Sequence, residues 1–157
     1  MNGKIVAGFL VVSSLFIGAA IYWLQIYAFY EPVEASSPQA AISLTTVTGA
    51  TEPLLTAGFT GIDAESSPLR FRGCFTTPTS LATLTETYVT YDAPTPLIAP
   101  GWFKCFDAGA LTDDLASGTA VAFLGQAAIH PGVDRVVAVY PDGRAFAWNQ
   151  LSKVQDN

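Results

Sequence analysis

The chain has few residues that can bind a metal or act as nucleophiles. Its 157 residues contain one histidine, two cysteines and a single methionine, the initiator. There is no GxSxG, CxxC or CxxCH motif and no glycine-rich phosphate loop, which argues against hydrolase, dithiol, haem and nucleotide chemistry. A metal site would need His130 to converge with both cysteines, and a copper carrier would be expected to use methionine. We therefore predict a non-catalytic protein with no metal and no cofactor.

The histidine lies in the sequence Ile129-His130-Pro131-Gly132, which is typical of a surface turn. The alternative is a catalytic role for His130 together with an acidic residue. That alternative requires a concave, partly open pocket around His130.

Charge is absent from the beginning of the chain, where Ile5 to Tyr30 has no acidic or basic residue. As a helix this run would measure roughly 39 Å, more than the hydrocarbon core of a bilayer requires. We predict a transmembrane anchor over residues 1–30. Lys4 precedes the run and Glu31 and Glu34 follow it, which favours a cytoplasmic amino terminus and a periplasmic domain at a bacterial inner membrane.

A cleaved signal peptide is the competing interpretation. Val33-Glu34-Ala35 fits a cleavage site and would leave a mature chain that begins at Ser36. The apolar run is longer than that of a signal peptide, and it ends in aromatic residues that suit a membrane interface: Tyr22, Trp23, Tyr27 and Tyr30. We favour a retained anchor.

One face of the predicted helix carries small or polar residues. At 100° per residue, Gly3, Ala7, Ser14, Gly18 and Gln25 fall within roughly 60° of one another. Small residues allow close approach of a second helix, and a polar residue can hydrogen-bond across it. We predict that this stripe packs against other transmembrane helices of a protein complex.

The remaining residues, 31–157, contain all 13 acidic residues and six of the seven basic ones, a formal charge of −7. This balance argues against nucleic acid as a partner and against binding of the domain to anionic headgroups, and it leaves basic proteins electrostatically allowed. The same charge also serves solubility alone.

Cys74 and Cys105 are predicted to form a disulfide because both lie in the part expected outside the cytoplasm. A closed loop of about 30 residues would stabilise the fold by roughly 3.6 kcal/mol in the chain-entropy model. Each cysteine lies in an aromatic-rich segment of strand character. In strand alternation Cys74 shares a face with Arg70 and Arg72, unless Gly73 marks a bulge, and the sequence leaves this open.

Three basic residues would cluster if the two cysteine segments were neighbouring strands. Arg70, Arg72 and Lys104 would then form a positive spot that could contact an anion or a partner. Charges that protect a strand edge from aggregation are the other interpretation.

Local signals predict an α+β domain over residues 40–157, with a mainly antiparallel sheet, one or two short helices and a carboxy-terminal hairpin. Residues 31–39 are predicted as a linker, residues 48–67 as an irregular connection and residues 92–101 as a loop. Strands are predicted over 41–47, 69–76, 102–106, 120–124, 135–140 and 144–149, the last two joined by Pro141-Asp142-Gly143. Helices are predicted to begin after the capping residues Ser80 and Asp107, the second ending at Gly118.

Three segments carry a resemblance to a known family: residues 62–72, residues 100–107 and residues 132–148. With the short amino-terminal anchor, the chain resembles a family of small single-span, membrane-anchored periplasmic proteins of alphaproteobacteria that has no assigned activity. The resemblance implies an architecture and brings no site residues.

The leading hypothesis is an accessory or assembly subunit of an inner-membrane complex, with a respiratory complex the first to test. The alternative is a membrane-anchored periplasmic module for sensing or for binding a small ligand. Its pocket would be lined by aromatic residues, for which core packing is the ordinary role: Phe71, Phe75, Trp102, Phe103 and Trp148.

Overall fold

The computed structural model describes residues 2–153 and divides into two compact units, one ending at Tyr30 and one beginning at Glu31. The first unit is helix α1, Gly3–Trp23, continued by a π-helical turn, Leu24–Ala28. The side chain of Asn2 caps it by accepting a hydrogen bond from the backbone N–H of Lys4. By length and composition the helix could cross a membrane, although a signal sequence would have the same properties.

The second unit is built on a six-stranded antiparallel sheet with the strand order β1-β4-β5-β8-β7-β6, and β2 and β3 form a separate two-stranded sheet. The strands are β1 Glu31–Val33, β2 Ser43–Thr45, β3 Thr51–Pro53, β4 Ala57–Asp63, β5 Arg72–Thr76, β6 Val121–His130, β7 Val133–Val139 and β8 Arg144–Leu151. A 3₁₀ turn, Pro38–Ala40, and two helices, α2 Leu81–Thr87 and α3 Ala108–Ser117, complete the unit. The predicted α+β class is confirmed.

The six-stranded sheet has apolar residues on both faces. On one face Phe75 and Val137 belong to a buried cluster with Ile42, Leu44 and Leu84 from the elements that cover that face. On the other face Phe146 and Trp148 meet the ring of Phe106 edge-on, with ring centroids 6.1 and 6.4 Å apart. The sheet is therefore the middle of three layers.

Both predicted helix caps are present. The side chain of Ser80 accepts from the N–H of Thr83, and that of Asp107 accepts from the N–H of Ala110. Helix α3 ends at Gly118, whose φ of 76° is left-handed. These features depend on residues within one helical turn, which is why the sequence predicts them well.

The predicted hairpin joins β7 to β8 through Pro141-Asp142-Gly143. Gly143 has a φ of 89°, and a Cβ there would lie 2.8 Å from the carbonyl oxygen of Thr77. This turn position requires glycine for conformation and for space.

Three other regions differ from the sequence-based prediction. Glu31–Val33, in the predicted linker, is an edge strand, and the predicted irregular segment 48–67 contains β3 and β4. Strand β4 contains Gly61 where a β-branched residue would be typical of a strand. The ring of Phe59 occupies the space where a Cβ of residue 61 would lie. The predicted strand 102–106 is instead a series of turns, in which the N–H of Phe103 donates to the carbonyl of Pro100 over 2.9 Å.

Strand β6 is an edge strand in the sheet order, but the outer side of its first half is covered. Its residues exchange backbone hydrogen bonds with residues 89–91, at Tyr91 N–H to Ala122 O, 2.8 Å, and Leu124 N–H to Val89 O, 2.9 Å. The opposite edge strand, β1, has three residues with Pro32 at its centre.

Candidate functional site

An open pocket of about 530 Å³ lies within the second unit, at the end of the sheet where β1 begins and β4 and β6 end. We call it the acidic pocket. Four carboxylates, one imidazole and two serines are among its lining residues, which are Glu31, Pro32, Val33, Glu34, Ser37, Gln39, Asp63, Ala64, Glu65, Ser67, Pro68, His130 and Pro131.

Asp63, the last residue of β4, is the most perturbed carboxyl group of this pocket. Burial raises its pKa above the ordinary value of 3.8. A hydrogen bond from the N–H of Ala64, 2.8 Å from Oδ1, opposes that rise, as do the charges of Arg135 and His130. Asp63 is thus a half-buried acid with cationic neighbours, an environment common at functional sites.

Beneath the pocket, Arg135 is almost wholly buried, with 7 % of its surface exposed. Its Nε donates to Oδ1 of Asn149 over 3.0 Å, and its guanidinium lies 3.6 Å from the centre of the Phe71 ring. Burial lowers the pKa of Arg135 to about 10, so it remains a cation at neutral pH. The charge of Asp63 opposes this effect of burial on the Arg135 pKa, but only in part.

The acidic pocket presents several polar side-chain atoms. Ser37 Oγ is buried without a hydrogen-bond partner, and Ser67 Oγ accepts from the N–H of Leu69 over 3.3 Å. Within residues 2–153 no three His, Cys, Asp or Glu side chains converge as metal ligands. His130 does lie in a concave, partly open pocket, which was the condition for considering it catalytic.

The three predicted basic contacts have different environments. Arg72 is 3 % exposed, and its guanidinium donates to four backbone carbonyls, those of Leu69, Phe71, Leu97 and Ile98, over 2.6–3.2 Å. The predicted contact of Arg72 with an anion or a partner requires a surface position. Arg72 is instead buried, and its N–H groups donate to the chain's own backbone. Arg70 is half-buried and Lys104 is exposed.

The structure joins Cys74 to Cys105 by a disulfide with 6.3 Å between the Cα atoms. Cys74 is buried in β5 and Cys105 is exposed in the turns before α3. Cys74 lies opposite Phe146 and Arg72 opposite Trp148, so both face the same side of the sheet and β5 has regular alternation at Gly73. Gly73 instead accommodates the ring of Phe59, which passes 3.0 Å from its would-be Cβ.

The aromatic residues predicted to line a ligand pocket are distributed over both sides of the sheet. Phe71 and Phe75 belong to the core cluster of one face, and Trp148 packs with Phe106 on the other. Phe103 is also buried, whereas Trp102 is exposed. Core packing accounts for four of the five, and the aromatic pattern of the sequence does not predict the acidic pocket.

Helix α1 presents the predicted small-residue stripe at its surface. Gly3, Ala7, Ser14, Gly18 and Gln25 are all exposed within the described chain, and a Cβ at Gly3 or Gly18 would meet nothing within 4 Å. The hydroxyl of Ser14 donates to the carbonyl of Leu10 over 2.7 Å. The π-helical turn begins at Leu24, so Gln25 departs from the 100° spacing that places the other four on one face.

Together these features define a class: small proteins in which one apolar amino-terminal helix precedes an α+β domain with a disulfide and a polar pocket. Residues 42–157 match a family described as a family of unknown function (DUF6446), and the chain belongs to it. The match confirms that the chain belongs to a family of unknown function, as the resemblance implied. Helix α1 lies outside the matched residues, so the match does not bear on the anchor. Neither a curated protein nor a solved structure matches the chain.

Proposed function

We propose that the protein is a non-catalytic accessory or assembly subunit of an inner-membrane complex, held by α1 with its domain on the periplasmic side. The observation that carries this proposal is the helix itself. None of the residues 3–23 is buried, and small residues lie along one side of the helix. In a bilayer such a side favours a second helix, because close backbone approach replaces lipid contacts by protein packing.

The acidic pocket fits the same proposal as a secondary contact site. Its carboxylates are carried by β1, β4 and the turns beside them, and the domain has a net charge of −7. A basic segment of a partner would be attracted to it, with an effect chiefly on the rate of association and on specificity. A respiratory complex is the first assembly to test.

Co-purification in mild detergent tests the helix interface. Gly18→Leu should remove a stoichiometric partner that wild type retains, because a leucine forces the two backbones apart. Val12→Leu, at an exposed position on another side of α1, is the matched control and should retain the partner. Equal behaviour of the two variants, or wild type without any partner, contradicts the accessory-subunit proposal.

The second candidate is a membrane-anchored sensing or small-ligand-binding module, which the acidic pocket of about 530 Å³ favours. That volume is within the range of small-molecule sites. Native mass spectrometry of the detergent-extracted protein should then show an added mass of a small molecule. A spectrum containing only the bare chain counts against this candidate.

A further inference from the structure

Strand β1 has few contacts that hold it on the six-stranded sheet. It contains three residues, it lies at an edge, and its strand partner is β4. Pro32, at its centre, has no N–H group to donate to the ladder. Val33 is partly buried and packs against the core cluster, whereas Glu31 and Pro32 are exposed. The docked state of β1 is therefore sensitive to small changes in interaction energy.

The register of β1 on β4 places two acidic residues opposite each other. Glu31 pairs with Asp63, and Val33 pairs with Gly61 two positions along the same strands. Side chains of directly opposed residues project from the same face of a sheet, with Cβ atoms about 5 Å apart. Two carboxylates in this arrangement repel each other, and a like-charged pair weakens the pairing of its strands.

This pair of carboxylates is not neutralised by a direct ion pair. Among residues 2–153 the ion pair is that of Arg144 with Asp142, in the turn between β7 and β8, and neither Glu31 nor Asp63 takes part in one. Nε and Nη1 of Arg135 donate to an amide oxygen and a backbone carbonyl of the domain. Relief of the repulsion between Glu31 and Asp63 therefore depends on longer-range charges or on a proton.

Charged and titratable groups from several elements surround Asp63. They are Glu31 of β1, Glu34 after β1, Glu65 after β4, Arg72 of β5, His130 of β6 and Arg135 of β7. The arginines and the histidine act to lower the pKa of Asp63, but burial acts in the opposite direction and is stronger. Asp63 therefore takes up a proton at a higher pH than an exposed aspartate does.

We propose that β1 is a pH-sensitive clasp, whose docked population falls as pH rises and both Glu31 and Asp63 become ionised. Protonated Asp63 can lie opposite Glu31 without charge repulsion. Ionised Asp63 gains hydration and is freed from that repulsion when β1 leaves the sheet. The equilibrium between docked and released β1 is thus linked to the binding of one proton.

The clasp controls the shape of the acidic pocket. Strand β1 and the residue after it contribute Glu31, Pro32, Val33 and Glu34 to the lining, so release of β1 removes one wall. A basic segment of a partner would then meet fewer carboxylates in one place. This consequence rests on the secondary contact site of the proposed function, whereas the clasp itself is a property of the domain alone.

Hydrogen exchange followed by mass spectrometry tests the clasp in the full-length protein in detergent. Each variant is measured on the strand that it leaves unchanged, Asp63→Asn on residues 31–34 and Glu31→Gln on residues 61–63. At about pH 7 these amides should exchange roughly two- to fivefold more slowly than in wild type, because one like-charged cross-strand pair is removed. At about pH 4 the difference should shrink, because protonation of wild-type Asp63 removes the same repulsion.

Glu86→Gln is the matched control, because it removes the same charge from an exposed position on α2. It should leave exchange in both segments at the wild-type rate. Equal exchange in wild type and Asp63→Asn at about pH 7 would overturn the proposal. Protection that persists undiminished at about pH 4, or that Glu86→Gln reproduces, would overturn it as well.

These outcomes are separate from those that test the proposed function. The exchange experiment contains no partner, so unchanged exchange rejects the clasp and leaves the accessory-subunit proposal standing. Equal co-purification of Gly18→Leu and Val12→Leu rejects the accessory-subunit proposal and leaves the clasp standing.

Discussion

Two aspartates of this domain have pKa values shifted in opposite directions, one by burial and the other by hydrogen bonds. Asp63 is half-buried, with a pKa raised above its ordinary value, and Asp142 is exposed, with a pKa lowered by its hydrogen bonds from Arg144. The local sequence already predicts that Asp142 lies in a hairpin turn. Only the fold shows that β4 carries Asp63 toward Arg135.

Asp63→Asn should change the pH dependence of stability. The folded state holds the Asp63 proton more tightly than the unfolded chain does, so this contribution is complete below the ordinary pKa of 3.8 and is lost as pH rises through the raised value. Relative to wild type, the asparagine variant should therefore gain stability as pH rises from below 3.8 through the raised pKa of Asp63. Urea unfolding followed by Trp148 fluorescence measures the difference.

Asp142→Asn is the control of opposite sign. Its lowered pKa gives a contribution that is present at neutral pH and is lost as pH falls through the lowered value. This variant should lose stability relative to wild type at neutral pH and approach it in acid. The same trend in both variants would contradict the assignment of burial as the dominant effect at Asp63.

At the scale of elements, the sequence predicts what is decided locally. Ser80 and Asp107 cap helices as expected, and Pro141-Asp142-Gly143 forms the expected hairpin turn, because each depends on neighbouring residues. The short strand β1 and the turns at 102–106 were not predicted. Their conformations depend on distant residues: β1 on its pairing with β4, and the turns on packing of Phe106 against Phe146 and Trp148.

Arg72→Met tests whether one buried side chain fixes the loop that precedes α3. Four carbonyls would lose a charged donor, so we expect a loss of about 3 kcal/mol in the free energy of unfolding. Arg144→Met provides the comparison, because the side chain of Arg144 is 57 % exposed and pairs with Asp142 at the surface. Its loss should be much smaller, and equal losses would show that Arg72 does not have the structural role described above.

At the scale of the whole molecule, the acidic pocket bears on whether the helix is retained. Cleavage after Ala35 would remove β1 together with the lining residues Glu31, Pro32, Val33 and Glu34. Residues 31–39 have the composition of a linker, so from sequence alone a start at Ser36 does not indicate the loss of a strand or of pocket residues.

We predict that the mature protein retains residues 1–30. Intact-mass measurement of protein extracted from membranes should give the full chain, and the domain should be accessible to protease from the periplasmic side. A mature chain that starts at Ser36 would contradict the prediction and would also require β4 to be stable without its edge partner.

The edges of the six-stranded sheet have a consequence for the association of one copy of the domain with another. One edge is bonded to residues 89–91, and the other is a strand of three residues interrupted by Pro32. The bonded part of β6 and the short, proline-interrupted β1 do not present a ladder of unpaired backbone groups to a neighbouring chain, which is one way in which native sheets avoid edge-to-edge association. Recognition of the domain along these stretches therefore depends on side chains and not on backbone pairing.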